Sequence, residues 1–505
     1  MSLSSYISLA VAVDWNADGD FVDANEDVSA YARYPLRTSR GRAKVTDKFS
    51  AGTGSFVLKN DDGRFTPLYA SSPLYPNVLP GRGVQVQATY NAVTYPVFKG
   101  RCTPESQGRR PPQAEVAFSM VDAFEQLRLG LTNTALQQGK RVDELITAIL
   151  DDISWAAGDR TLDTGLETLT VFTNHNRLPL NALQLAAKQD PGAALFMSRA
   201  GKVLYQNRQY RSLQPVYATL DGTFDELDPQ IRQEDMVDHV RATYPRYSTD
   251  AAVSAVFTLN TPRWLQPGTG SFDFDINASG VVAASSYVTP LVATTDFVAN
   301  SALDGGGTSK TAQVSLTVSA SNSGGGTVSY TNLDSAPVAL TFLQVRALAT
   351  KAGAETNAVR VAVSAPVVTG QQLNQEFEFQ DNADPVTGWV NWQANVRGAV
   401  RVRPVVTITP DTDALMALVL GAEIGNRVVL TDTGAPWLTQ VNGVFFIEGI
   451  DLEFTGPASV RATWRLFDAD MAIGSMFRIS GAAGGGQDYS TIASAAPTSG
   501  DRIGY

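Results

Sequence analysis

Residues 14 to 26 read Asp-Trp-Asn-Ala-Asp-Gly-Asp-Phe-Val-Asp-Ala-Asn-Glu, and the oxygen-bearing side chains are spaced as a loop around a hard cation would need them. Asp14, Asn16 and Asp18 stand at loop positions 1, 3 and 5, Gly19 at the sharp bend of position 6, and Asp20 offers its carbonyl at position 7. Ca²⁺ takes roughly six to eight oxygen ligands, and this spacing converges such ligands on one point. Position 12 is Asn25 and not a carboxylate, so the closing ligand is expected from Glu26, or from Asp23 through a rearranged loop. The competing reading is an acidic turn in which Asp and Asn cap backbone amides without metal. The expected metal set is Asp14, Asn16, Asp18, Asp20 and Glu26, with Ca²⁺ as the cofactor.

Other residue types that perform covalent or metal chemistry are sparse. A single cysteine, Cys102, excludes an intramolecular disulfide and a cysteine-based zinc site. The two histidines, His175 and His239, sit in Asn174-His175-Asn176-Arg177 and Asp238-His239-Val240-Arg241, and neither belongs to an HExxH helix. No G-x-S-x-G elbow occurs, and Gly139-Lys140-Arg141 lacks the glycine spacing and hydroxyl of a phosphate loop. Asp151-Asp152 and the pair Asp411 and Asp413 read as solvated faces and not as a glycosidase pair. Trp389 and Trp392 suit the core of a helix better than a sugar-stacking platform. No enzymatic activity is expected.

The elements that position these residues are mostly strands. From Tyr6 to Val121 short alternating runs such as Val84-Gln85-Val86-Gln87-Ala88 are cut by Gly, Pro and Asp, the pattern of antiparallel β-structure. In Gly139 to Trp155 the apolar set Val142, Leu145, Ile146, Ile149, Leu150 and Ile153 forms one helical stripe. A second helix is expected to start at Pro179 and stop at Asp190-Pro191-Gly192, followed by a hairpin from Ala194 to Tyr205. Residues 116–215 therefore read as a small α/β domain. Strands with Gly- and Ser-rich connections fill 216–370, and Val314, Leu316 and Val318 alternate as a half-buried sandwich strand would. A short helix is expected over Ala383 to Asn395, then strands at Arg427 to Leu430, Val444 to Phe454 and Val460 to Phe467.

Length and composition narrow the class. A chain of 505 residues is too long for one core, which favours roughly three or four domains. Net charge is −11, which argues against a protein that grips nucleic acid through its phosphates. Charged residues make up 18%, against about 25% in ordinary domains. Much of the surface is thus expected to be covered by protein. The opening MSLSSYISLAVAVDW has no basic n-region and no apolar run of signal length, and no stretch approaches a membrane span.

The stretch Leu58-Lys59-Asn60-Asp61-Asp62-Gly63-Arg64-Phe65-Thr66-Pro67, continuing through Ser71 to Arg82, resembles a signature of tail-tip hub proteins of long-tailed bacteriophages. So does the opening Val13 to Phe21. Leu343 to Leu348 is similar to the strand closing that family's inserted β-domain, and Leu420 to Val428 with Phe446 to Ile450 to its final barrel segment. The resemblance implies a mainly β, multidomain fold. Its parts would be an N-terminal tube-like β-barrel (1–115), the small α/β domain (116–215), a β-sandwich-like insertion (216–372) and a C-terminal β-barrel region (373–470). The remaining extension, 471–505, is rich in Gly, Ser and Ala and is expected to be ordered by a neighbour, with Phe477, Ile479, Tyr489, Ile492 and Tyr505 as anchors.

The implied function is structural. Three copies would form a homotrimeric ring at the virion tail tip, contacting the tail tube or distal tail protein, the tape-measure protein and tail-tip or fibre proteins, while DNA passes through the lumen unbound. The rival classes are a calcium-dependent surface or carbohydrate-binding protein, and a cell-wall hydrolase, for which no nucleophile or metal triad is visible.

Overall fold

The computed structural model describes residues 3, 6–43, 48–110, 113–232, 236–353, 357–362, 371–397, 402–432, 441–457 and 459–468. The extension at 471–505 lies outside the described residues. Strands β1 (Ser8–Asp14), β2 (Ala32–Gly41), β3 (Thr53–Lys59), β4 (Arg82–Tyr90), β5 (Val93–Arg110) and β6 (Gln113–Asp122) pair in the order β1-β4-β5-β6-β3-β2. Their alternation fills one core face: Val84, Val86 and Ala88 are buried with Phe56, Leu58, Val116, Phe118 and Met120, and the rings of Phe56 and Phe118 stack at 5.0 Å. The boundary expected at 115 falls inside β6. That strand stays in this sheet because it pairs with β3 from Thr53↔Val121 to Lys59↔Glu115.

The α/β layer follows as β7 (Gln137–Arg141), α1 (Val142–Asp152), β8 (Arg160–Leu162), β9 (Thr168–Phe172), α2 (Pro179–Lys188), β10 (Ala194–Met197), β11 (Val203–Gln206) and α3 (Arg208–Leu213). The α1 stripe is buried from Val142 to Leu150, and α2 opens with Pro179 in its first turn. Strands β10 and β11 form the expected hairpin, with Gly201 at φ 77° in its turn. Helix α3 is too short to carry a periodic stripe. It is capped by Asn207, whose side chain accepts from the Tyr210 N–H at 2.6 Å.

Next come β12 (Val216–Asp221), β13 (Glu226–Gln230), β14 (His239–Tyr244), β15 (Tyr247–Thr249), β16 (Ser254–Thr258), β17 (Arg263–Leu265), β18 (Gly268–Asp275), β19 (Val281–Ser285), β20 (Phe297–Asn300), β21 (Val314–Asn322), β22 (Gly325–Asn332), β23 (Val338–Ala352), β24 (Asn357–Ala362) and β25 (Gln372–Glu376). A sheet built around β23 faces the β18-β22-β21 sheet, and the two share a core of Phe272, Phe274, Leu316, Val328, Leu340 and Val345. Along one edge of β23 lie β15, β16 and β17, and along the other β19 and β20. The sandwich is narrower than the expected 216–372. Its flanking strands pair elsewhere: β14 lies between β24 and β25, and β12 and β13 join strands from the end of the chain.

That end comprises α4 (Ala383–Arg397), β26 (Arg403–Ile408), α5 (Asp413–Gly421), β27 (Arg427–Thr431), β28 (Gly443–Gly456) and β29 (Ser459–Asp468). Helix α4 packs on β14, with Val386, Trp389 and Val390 inward. Helix α5, not expected from the sequence, is apolar along most of its length and is capped by Thr412, which accepts from the Leu415 N–H. β2 pairs with β28 from Leu36↔Phe454 to Gly41↔Gly449, so the N-terminal and C-terminal β regions are one twelve-stranded sheet. Among the described residues no helix is long and apolar enough to cross a membrane.

Glu448 sits where the β28–β29 register shifts between Ile447 and Gly449, a bulge that turns its side chain inward. Its buried carboxylate accepts from Arg42 Nε at 2.7 Å and from the Arg211 guanidinium, and these two cations hold its pKa below the usual range against the opposing effect of burial. Gly41 admits this close approach: its φ is 103°, and a Cβ there would meet the Glu448 carbonyl and Gly449 Cα. Glu448→Ala, which strands two enclosed guanidinium groups, is expected to reduce unfolding free energy by about 3–5 kcal/mol in urea titration.

Asp122 is 3% exposed and accepts from the N–H groups of Gly52 (2.6 Å) and Phe124 (2.9 Å). Burial pushes its pKa up to about 6, against 3.8 for an ordinary aspartate. With the folded value above the unfolded one, the contribution of Asp122 is fully present below the unfolded pKa and is lost as pH rises through the folded one. Relative to Asp122→Asn, the wild type is expected to lose stability as pH rises from about 4 to about 7, and a pH-independent difference in urea midpoints would contradict this.

Candidate functional site

The acidic loop opens at the end of β1 and is tied back to that strand at its other end. The Val13 N–H donates to the Glu26 carbonyl at 2.9 Å, the Val28 N–H to the Val11 carbonyl at 2.9 Å, and Ala12 bridges Asp27. Trp15 is buried against Phe65 and Phe118, and its indole N–H donates to the Asn25 carbonyl at 3.1 Å. Ala17, Gly19 and Asn25 take φ of 63°, 97° and 71°, which coils the chain around Asp14. The Asp14 carboxylate accepts from the N–H groups of Ala17 (2.6 Å) and Gly19 (3.0 Å).

Carboxylate oxygens of Asp14, Asp18 and Glu26 lie within 4.8 Å of one another, and those of Asp18, Asp20 and Asp23 form a second such trio. Asn16 accepts from the Asp18 N–H at 3.3 Å, while its amide nitrogen donates to Asp18 (2.9 Å) and Asp23 (2.6 Å). Glu26 is 1% exposed; its Oε2 accepts from the Asp23 N–H at 3.0 Å and its Oε1 has no hydrogen-bond partner. Burial raises the Glu26 pKa despite that backbone donor, and the nearby Asp14, Asp23 and Asp18 raise it further. The structure thus gathers Asp14, Asp18 and Glu26 of the expected set. Asp20 lies with the second trio, and Asn16 links the two. Asp23, named in the sequence only as a substitute ligand, belongs to the cluster because the turn at Asn25 folds it back.

Several of the other candidate groups are engaged by structural partners. Asp151 pairs with Arg160 at 2.5 Å, Asp152 accepts from the Thr132 hydroxyl at 2.7 Å, and Asp413 accepts from the Tyr90 hydroxyl at 2.5 Å. His175 faces Asp275 across the contact with the sandwich at 3.3 Å, and His239 lies on β14. Burial pushes the Cys102 thiol up to about 12. Trp389 and Trp392 are 9% and 7% exposed and join a core with Phe377. A cavity of about 310 Å³ between α2, α3 and α4 is lined by Lys188, Arg208, Arg211, Asp190 and both tryptophans. Its Asp190 is engaged by Tyr205 at 2.6 Å and Arg208 at 3.2 Å.

In structure the chain resembles prophage tail proteins. The 43 kDa tail protein of prophage MuSo2 from Shewanella oneidensis is 10% identical at a TM-score of 0.48, with 92% of this chain and 99% of that one covered. The tail protein from Neisseria meningitidis MC58 is 12% identical at 0.47, covering 91% and 96%. Prophage tail protein gp18 from Listeria monocytogenes EGD-e is 6% identical at 0.42, covering 91% and 94%. No protein-family model and no curated protein matches the sequence.

Asp14 organises the loop through backbone amides. Asp14→Ala leaves two N–H groups without their acceptor and is expected to lower unfolding free energy by about 1–3 kcal/mol in chelator-containing buffer, read by thermal or urea unfolding.

Proposed function

We propose that this protein is a structural, non-enzymatic hub of a phage-type tail tip, three copies of which form a ring that continues and closes the tail tube. The observation that carries the reading is the seam between β2 and β28. Hub resemblance in the sequence implies that the N-terminal and C-terminal β regions both build tube-like barrels, and in this chain strands of the two regions pair within one twelve-stranded sheet.

Two further features support it. The signature stretch after β3 forms an arm fixed by its own bonds: Asn60 accepts from the Phe65 N–H and donates to Thr66, each at 2.9 Å, and the Ser72 hydroxyl donates to the Arg64 carbonyl at 2.6 Å. This arm offers Leu68 (82% exposed), Tyr69, Tyr75 (50%) and Leu79 to solvent, an apolar surface suited to a neighbouring subunit. A net charge of −11 suits a lumen through which DNA slides without sticking. The ring would contact a tail tube or distal tail protein, a tape-measure protein and tail-tip or fibre proteins.

Mass photometry over a concentration series, together with averaged electron images of assembled tails, tests the reading. Threefold rings at the distal end of the tube are expected, with the double variant Leu68→Asp, Tyr75→Asp folded but impaired in ring formation. A chain that stays monomeric at high concentration and is missing from virion tails overturns it.

A further inference from the structure

We propose that the loop at residues 14–26 is a binding site for one divalent cation of the calcium class, held by the carboxylates of Asp14, Asp18 and Glu26, with Asn16 and Asp20 supplying further oxygens. The inference is independent of the hub reading. It starts from Glu26, which is 1% exposed and keeps Oε1 without a hydrogen-bond partner while carboxylate oxygens of Asp14 and Asp18 stand within 4.8 Å. A buried acceptor left unmatched is unfavourable, and the two like charges of Asp14 and Asp18 beside it make the arrangement worse. No Lys or Arg among the described residues forms an ion pair with Asp14, Asp18, Asp20, Asp23 or Glu26.

Something positive must therefore enter. A proton on Glu26 would satisfy one oxygen but leave the carboxylates of Asp14 and Asp18 facing each other. A cation at the convergence point answers all of them together. The donors are oxygens throughout, with no His or Cys in either trio, which excludes soft metals. Several carboxylates gathered in one loop suit Ca²⁺, whereas Mg²⁺ prefers few protein ligands and retained water. Because both ends of the loop are bonded to β1, a bound ion would tie the segment before Val28 to the edge of the main sheet.

Trp15 supplies the readout, since its indole lies within the loop and can sensitise a lanthanide that takes calcium's ligands. Terbium added to the full chain is expected to luminesce on indole excitation, saturate at one ion per chain, and be displaced by Ca²⁺ at concentrations where Mg²⁺ has little effect. Asp18 is exposed, so Asp18→Asn tests ligation without endangering the fold. It and Glu26→Gln are each expected to weaken terbium binding by about ten-fold or more. Chelation should lower the melting temperature of the wild type by more than that of Asp18→Asn. A folded wild type, checked by circular dichroism, that gives no luminescence and melts alike with and without chelator overturns the proposal. So do variants that bind terbium as the wild type does, and displacement by Mg²⁺ as readily as by Ca²⁺ overturns the calcium class.

Discussion

A carboxylate enclosed by protein has to find its counter-charges inside the fold, and Glu448 finds them on two segments remote in sequence, Arg42 after β2 and Arg211 on α3. That requirement locates three parts of the molecule at once. β28 must carry a bulge to aim the side chain inward, the chain leaving β2 must pass close enough for Gly41 to lie against the Glu448 backbone, and the α/β layer must present α3 to the same point. Replacing such a group with well-packed apolar residues is often neutral or stabilising, whereas removing one partner leaves an uncompensated buried charge.

The same device recurs at two further points where segments remote in sequence meet. Glu423, just beyond α5, takes Arg40 of β2 at 2.7 Å and the Arg199 N–H of the β10–β11 turn at 3.0 Å. Asp296 in the sandwich takes Arg346 of β23 at 2.6 Å, and that contact holds its carboxyl below the usual range. Apolar packing tolerates sliding between layers, while a directional ion pair does not. Part of the charged content of the sequence is thus committed to holding remote segments in register.

Much of the local structure was legible. The stripe from Val142 to Ile153, the proline opening α2, the β10–β11 hairpin and the alternation of Val460, Ala462, Trp464 and Leu466 each express a period that one element alone can satisfy. α5 was hidden for the opposite reason: Ala-Leu-Met-Ala-Leu-Val-Leu is apolar all round and has no stripe to read. Pairings between remote strands were equally silent, notably the parallel contact of β12 with β27 and the seam of β2 with β28, because register across hundreds of residues leaves no local trace. In the acidic loop the spacing from Asp14 to Asp20 was visible. The enclosure of Glu26 was not, since it depends on Val28 and Asp27 closing against β1.

β23 runs for fifteen residues through the sandwich and bonds to three strands along one edge and two along the other. Its neighbours are short, so among the described residues none of them spans it, and it is the strand to which all five pair lengthwise. A pull along the strand axis would load all of these ladders simultaneously in shear, whereas a pull at right angles would open them one pair after another. The sandwich is therefore mechanically anisotropic, stiff along β23 and easily unzipped across it, and the direction from which a load arrives decides whether it transmits force or yields.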